Sequence, residues 1–523
     1  MIRCFITACL STAWVLPAAE IRFEDITARS GIIKPLLGMM GHGGAWGDVD
    51  GDGRIDLYVG GFADRPNAEY APALAPPKNQ LLRNLGGGRF AAVPVSAANH
   101  FARTSGAVFA DLDNDGDLEL YVGNNGRPNR AGAADGPQRS ARLALSKLYR
   151  NDAGKLVDIS TASGACPAGL ESGRNIGVLD YDADGRLDLL IIEDRFTRGP
   201  SSRLFRNEGG LKFQDTTRAA GLPEDLFGLG LAVADVNGDR RPDFFVPHSN
   251  RFFLSNGHGQ YSEPAALNKV FAWEPLHNED WPCGACFGDL DNDGDLDLVL
   301  SIHCQTARNR VYLNEGLRNG VPNFRDVTLQ TGLPAHLPVK APHIEVQDFD
   351  NDGRPDLYFS SAVLDNGQAT PVIFRNLGVK QGIPQFAPNV DPARANTYYA
   401  AGPSGDFDND GRVDLCLINW FRGDHTRLLR NESGTNHWLK VSVRGHRTNR
   451  MGLGTRLTVW NGSQRIGTQE LNIGYGYASG QPAVAHFGLG QTKRVTIEAS
   501  FPDGRRVRQT VDANQHITLN EIP

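Results

Sequence analysis

Carboxylates recur seven times along this chain in one nine-residue pattern, D-x-D-x-D-G-x-x-D. Asp48, Asp50, Asp52 and Asp56 form the first copy, and Asp111, Asp113, Asp115 and Glu119 the second. The third holds Asp180, Asp182, Asp184 and Asp188. The fourth departs from the pattern: it has Asp235, Asn237, Asp239 and Asp243, with Arg240 in the glycine position. Asp289, Asp291, Asp293 and Asp297 follow, then Asp348, Asp350, Asp352 and Asp356, and last Asp406, Asp408, Asp410 and Asp414. Side-chain oxygens at positions 1, 3, 5 and 9, with the carbonyl of position 7, make the all-oxygen shell that calcium favours. Glycine at position 6 permits the sharp turn. An EF-hand opens the same way but needs glutamate at position 12 and flanking helices. Position 12 here is Val59, Val122, Ile191, Val246, Leu300, Phe359 and Leu417, so that fold is excluded. The expectation is calcium, up to seven ions at one per repeat; acidic turns without metal are the bland alternative.

Charge points the same way. Residues 1–432 carry 42 basic and 55 acidic side chains, a balance of −13. The seven loops supply 27 of those carboxylates at ligand positions, and seven divalent ions would bring the region close to neutral. Acidity is thus concentrated at the loops rather than spread as a solubilising surface. Residues 433–523 hold 11 basic and 5 acidic residues, a balance of +6 that marks a compositional boundary.

The loops need strands to hold them. Each follows a small-residue apolar stretch such as Gly106 to Ala110 and runs into a strand-like segment such as Asp356 to Phe359. A further strand ends in asparagine, as in Leu81 to Asn84, Leu204 to Asn207 and Ile373 to Asn376. A last one often reads F-x-D-x-T, as in Phe213 to Thr217 and Phe324 to Thr328. Four short strands per repeat, with no long helical period between them, predict a radial array of four-stranded sheets. The chain opens on a lone closing strand, Phe23 to Thr27, and the seventh repeat stops at Asn431 without one. The N-terminal strand should therefore complete the last blade, which removes two exposed sheet edges.

These copies resemble FG-GAP (VCBS) repeats of the integrin α-subunit propeller type over residues 20–432. The tail, 433–523, resembles the ASPIC/UnbV domain through Asn436 to Leu439, Asn449-Arg450, His486 to Gly490 and Phe501 to Gly504, with Phe501 where that family usually has tryptophan. The pairing is similar to the cartilage acidic protein family. The resemblance implies an all-β, seven-bladed, calcium-binding β-propeller followed by a small β-rich domain, and a role in extracellular interaction or adhesion.

Residues 1–19 read as an export signal: Arg3, an apolar run from Cys4 to Leu16, and small residues at Pro17-Ala18-Ala19. The chain is expected to be secreted, extracellular, or at the periplasm or cell surface of a bacterium. No apolar run is long enough to span a bilayer. Cys166, Cys283, Cys286, Cys304 and Cys416 remain after the signal, an odd number, and Cys283–Cys286 has redox spacing within a repeat rather than before a helix.

Strand order places the long insertions, 61–79, 124–146 and 262–282, on the face opposite the acidic loops. Tyr70, Trp273, Trp281, Trp420 and Phe421 fall in the same class of connection, and long loops on a rigid scaffold commonly carry binding residues. They are the candidate ligand face for an extracellular protein or a glycan. Simple loop packing is the alternative for each. His42, Arg174, His343 and Glu345, just ahead of acidic loops, are expected to line the central channel, as a solvated wall or as a ligand or metal site. No nucleophile elbow, zinc helix or phosphate loop appears, and the basic tail lacks a stacking platform for nucleic acid. A binding protein is thus favoured over a lectin-like propeller, and both over a polysaccharide lyase.

Overall fold

The computed structural model describes residues 21–63, 77–126, 144–168, 173–194, 202–274, 281–303, 308–333, 341–363, 369–389, 399–420 and 424–522. Tyr70 and Phe421 of the candidate face, Cys304 and the expected signal segment lie outside them.

Every acidic loop sits between the first and second strands of an antiparallel sheet. In blade 1 the strands are Gly41–Gly47, Asp56–Gly61, Gln80–Asn84 and Phe90–Ala92, paired in that order. The same order repeats in five further sheets, spanning 104–158, 173–215, 232–262, 282–326 and 344–389. The seventh is built from Tyr399–Ala401 with Ser404–Gly405, then Asp414–Asn419 and Arg427–Asn431. Its outer strand is Phe23–Asp25, in register Phe23↔Asn431 and Asp25↔Leu429, as the strand count required. Ile26 N–H donates to the Leu428 carbonyl at 3.0 Å, and Arg427 pairs with Asp25 at 2.9 Å. Apolar residues on the sheet faces interlock between neighbouring blades; Phe244, Phe253 and Tyr261 of the fourth pack with Leu190 and Leu204 of the third.

A recurring asparagine on the third strand explains how blades are fixed to one another. Asn84 Nδ2 donates to the Phe407 carbonyl of blade 7 at 2.8 Å, and Asn151 to Val49 of blade 1 at 2.9 Å. Asn207 reaches Leu112, Asn314 reaches Val236, Asn376 reaches Leu290 and Asn431 reaches Phe349. Each bond runs back to position 2 of the preceding acidic loop, so the pattern fixes six of the seven seams, the one between blades 7 and 1 included. Blade 4 has Ser255 at this position, and the seam between blades 3 and 4 lacks the clasp.

The tail forms two sheets. One is Ala485–Gly490, His437–Arg444 and Gln515–Asn520; the other is Gln464–Glu470, Arg456–Asn461, Arg494–Ser500 and Arg506–Asp512. Leu439, Val441, Leu457, Ile497 and Phe487 fill the space between them, and this cluster continues into blades 2 and 3. Phe501 is fully buried there.

Candidate metal loops, capped and pinned by the C-terminal domain

Within each acidic loop the backbone is organised by the carboxylates themselves. Position 9 is buried, and its two oxygens accept separate backbone N–H groups. Asp56 takes Val49 at 3.2 Å and Asn84 at 2.7 Å, and Asp414 takes Phe407 at 3.0 Å and Asn431 at 2.7 Å. In loops 1, 3, 4, 6 and 7 position 1 accepts the amides of positions 5 and 6, as Asp48 does from Asp52 at 3.0 Å and Gly53 at 2.8 Å. An arginine on the third strand, one residue before the clasp asparagine, pairs with position 3: Arg206 with Asp182 and Arg430 with Asp408, both at 2.6 Å, and Arg83 with Asp50. Neither the arginine nor the asparagine was assigned a role from sequence, although L-x-R-N recurs visibly.

Carboxylate oxygens converge within 4.8 Å of one another in Asp48–Asp50–Asp56, Asp111–Asp113–Asp115, Asp180–Asp182–Asp188, Asp289–Asp291–Asp297 and Asp348–Asp350–Asp356. Burial, reinforced by like charge, pushes Asp56, Asp111, Asp180 and Asp289 up to about 7 and Glu119 to about 8. Asp113 Oδ1, Asp182 Oδ1 and both oxygens of Asp289 are buried with no hydrogen-bond partner. A hard divalent cation answers all three observations at once, since it takes oxygen ligands and offsets their mutual repulsion. Loop 4 is the odd member: Arg240 holds φ +68°, the left-handed region that the other six loops fill with glycine.

The C-terminal domain lies across this face of the ring. It touches loop 2 through Arg450, whose N–H donates to Asn114 Oδ1 at 2.8 Å, and loop 3 through the Arg447 backbone against Gly185. At loop 4 Arg456 donates to the Asp235 carbonyl at 2.6 Å, while Glu470, raised to about 7 by burial and by Asp235, accepts the Asp235 amide at 3.0 Å. Arg465 stands 4.0 Å from Asp289 of loop 5. His486 Nε2 meets Asn351 Oδ1 of loop 6 at 2.6 Å, and Lys440 pairs with Asp406 of loop 7 at 2.7 Å. Loop 1 has the longest exposed run of the seven, from Asp50 to Gly53. The +6 tail thus sits on the acidic side of the −13 ring.

From this domain the segment 473–481 enters the central channel as a stopper. Its Ser479–Gly480 pair runs parallel to Gly44 and Ala45 of blade 1. Gly476 N–H donates to the Leu231 carbonyl of blade 4 at 3.0 Å and to Ala285 of blade 5 at 2.9 Å. Asn175 of blade 3 accepts from Ala478 N–H and donates to the Gly474 carbonyl, both at 3.0 Å. The channel residues expected from sequence are all here, and the structure corrects the expectation of a solvated lining. The Tyr477 hydroxyl lies 3.0 Å from both His42 Nε2 and Arg174 Nη1, and its amide donates to His343 Nδ1 at 3.1 Å. That bond leaves the His343 Nε2 hydrogen for Glu345, 2.9 Å away, which also accepts from Gln481 at 2.7 Å. Burial, then the Arg174 charge, holds His42 well below its ordinary pKa.

On the opposite face Trp420 is half-buried, edge-on to His42 and to Phe62 at 5.0 Å. Trp273 is half-buried beneath the Arg310 guanidinium at 4.1 Å. Trp281 is different: it is only 7% exposed and stacks on His303 at 5.5 Å, so it is a wall rather than a projecting anchor. Cys166, Cys286 and Cys416 are buried free thiols, and burial pushes Cys166 up to about 12, which makes them packing residues rather than redox groups; Cys283 is buried as well.

Comparison with known proteins agrees with this architecture. The FG-GAP-like repeat family matches residues 48–122, 180–246, 289–359 and 348–417, and the ASPIC and UnbV family matches 445–522. The chain belongs to the FG-GAP repeat proteins that carry a C-terminal ASPIC and UnbV domain. Among curated proteins it is similar to cartilage acidic protein 1 of mouse, 25% identical across 98% of this chain and 79% of the relative. The human protein of that name is 24% identical, across 97% and 77%. Among solved structures, an Agrocybe aegerita lectin that recognises non-reducing terminal N-acetylglucosamine has TM-score 0.37 and 17% identity, covering 67% of this chain and 80% of the lectin. A BBS1N chain solved in complex with ARL6DN has TM-score 0.40 and 11% identity, covering 76% and 94%. Among the described residues no helix is long and apolar enough to cross a membrane.

Proposed function

We propose that this protein is a secreted, calcium-loaded propeller that binds an extracellular protein or a glycan on the face opposite its acidic loops. The observation that carries the choice of face is the C-terminal domain: it contacts six of the seven acidic loops and fills the channel, so a macromolecule has the other face open to it. Calcium at the loops would hold the blades in fixed geometry, and their carboxylates supply the ligands. A lectin-like reading is favoured next by half-buried Trp420 and Trp273, since aromatic rings stack on sugars and anchor protein interfaces alike. A lyase reading loses support, because His42, Arg174, His343 and Glu345 are engaged by the stopper or by each other.

Calcium is tested by equilibrium dialysis and by calorimetry with and without chelator. Extracellular-type sites bind at about 0.1–1 mM, so at about 1 mM calcium each adds roughly 0.4–1.4 kcal/mol, and a set of seven on the order of 3–10 kcal/mol. An unchanged melting temperature after chelation would sink the calcium reading. The choice of face is tested separately on glycan arrays and in extracellular-matrix pull-downs, with Trp420→Ala against Asp50→Asn. Loss of binding in the folded, calcium-loaded Asp50→Asn variant alone would move the ligand to the acidic face.

A further inference from the structure

Between the acidic side of the ring and the C-terminal domain lies a cavity of about 310 Å³, a size at which small-molecule sites begin. Its walls are mostly apolar: Val233, Phe287 and Val346 from blades 4 to 6, and Ile466, Tyr475 and Phe487 from the C-terminal domain. The lining residues Gly53, Asn292 and His516 are exposed and mark where the cavity meets solvent. His486, also in the wall, is 5% exposed. Its Nε2 faces the Asn351 side-chain oxygen at 2.6 Å and so carries the hydrogen. Its Nδ1 is then an acceptor, and it is buried with no hydrogen-bond partner. Native proteins rarely leave such an atom bare.

We propose that this cavity binds an uncharged, largely apolar small molecule carrying one hydrogen-bond donor, which His486 Nδ1 accepts. Charge argues against an anion, because the wall contains Asp48, Asp289, Asp348, Asp406 and Glu470 beside the single Lys440, and against a cation, because the four aspartates are first-position ligands of the candidate metal loops. A ligand of either sign would meet a like charge there. The proposal does not depend on which face of the ring binds a macromolecular partner.

Gly467 allows a clean block. It lines the cavity, and a Cβ built on it meets only the Phe487 ring, at 3.5 Å, an ordinary contact. The probe is N-phenyl-1-naphthylamine, which is neutral and apolar with one N–H, followed by fluorescence titration of the full chain in calcium buffer. The expected result is saturable one-to-one binding that Gly467→Leu weakens at least tenfold with its melting temperature held. Should Gly467→Leu fail to fold, Val484→Phe, from the segment beside it, must show the same loss. Absence of saturable binding, as in a cavity that takes only water, overturns the proposal. So does binding that neither variant changes.

Discussion

Gly476→Ala adds one methyl group at the tightest point of the stopper. The residue holds φ +80°, and a Cβ there would stand 2.6 Å from the His343 ring and 2.8 Å from the Ile344 carbonyl. Left-handed backbone costs a non-glycine residue roughly 1–2 kcal/mol. The methyl must also push the segment off its bonds to Leu231 and Ala285, each worth about 0.5–1.5 kcal/mol. Together these give about 2–5 kcal/mol. Gly462→Ala is the control: it has φ +61° with nothing within 4 Å of the added carbon, so only the roughly 1–2 kcal/mol of backbone strain applies. The difference of about 1–3 kcal/mol should appear in hydrogen exchange of the calcium-loaded protein. Amides of Gly44, Gly476 and Ala478 should exchange about 5- to 160-fold faster in Gly476→Ala and stay protected in Gly462→Ala. Equal destabilisation by the two changes, with the stopper amides protected in both, would show that the channel contacts do not bind the segment tightly.

Deleting Ile21 to Thr27 should strip exchange protection from Arg427 to Asn431, although the two lie some four hundred residues apart in the chain; retained protection there refutes the closure. Arg240→Gly should relieve the left-handed strain at loop 4, stabilise the protein by up to about 1 kcal/mol and tighten calcium at that loop. Residue-resolved titration in which loop 4 of the unaltered protein fills first contradicts this. In chelator, the protein should melt higher at pH 5.5 than at pH 8. Asp56, Asp111, Asp180 and Asp289 hold protons up to about pH 7 when folded but only to about pH 4 when unfolded. The folded state therefore gains as pH falls through that window and loses as it rises. Calcium should suppress the trend, and a flat melting profile in chelator means the carboxylates are not crowded as described.

The repeat, its strand count and the closing strand were legible in sequence because each is a local pattern. A loop such as Asp48 to Asp56 announces itself within nine residues, and Phe23 to Thr27 is recognisable because it matches Phe213 to Thr217. The cap and the stopper were not legible, since their partners are far apart: Tyr477 meets His42 across 435 positions and Arg174 across 303. Two signals pointed that way unread. One was the opposed charge of tail and ring; the other was the run Gly474-Tyr475-Gly476-Tyr477, where small residues let a backbone pass close to others. Trp281 misled because a tryptophan in a connection reads as exposed, while its burial depends on His303 and His248 from other connections.

The closing strand also imposes an order on assembly. Phe23 to Asp25 is made first, yet its partner Leu429 to Asn431 comes some four hundred residues later. Joining ends so distant costs about 5 kcal/mol of chain entropy, and no local contact offsets it until the intervening blades have condensed. While the chain is being made, the early blades can pair within themselves, because each sheet is contiguous in sequence. The first strand must wait without its neighbour. The stopper comes later still, and it grips residues of blades 1, 3, 4, 5 and 6 at the same time. Its seat exists only when those blades stand round a common axis. Maturation should therefore end in two late steps, ring closure and then insertion of the pin, and a protein caught between them would display an open bore lined by His42, Arg174, His343 and Glu345.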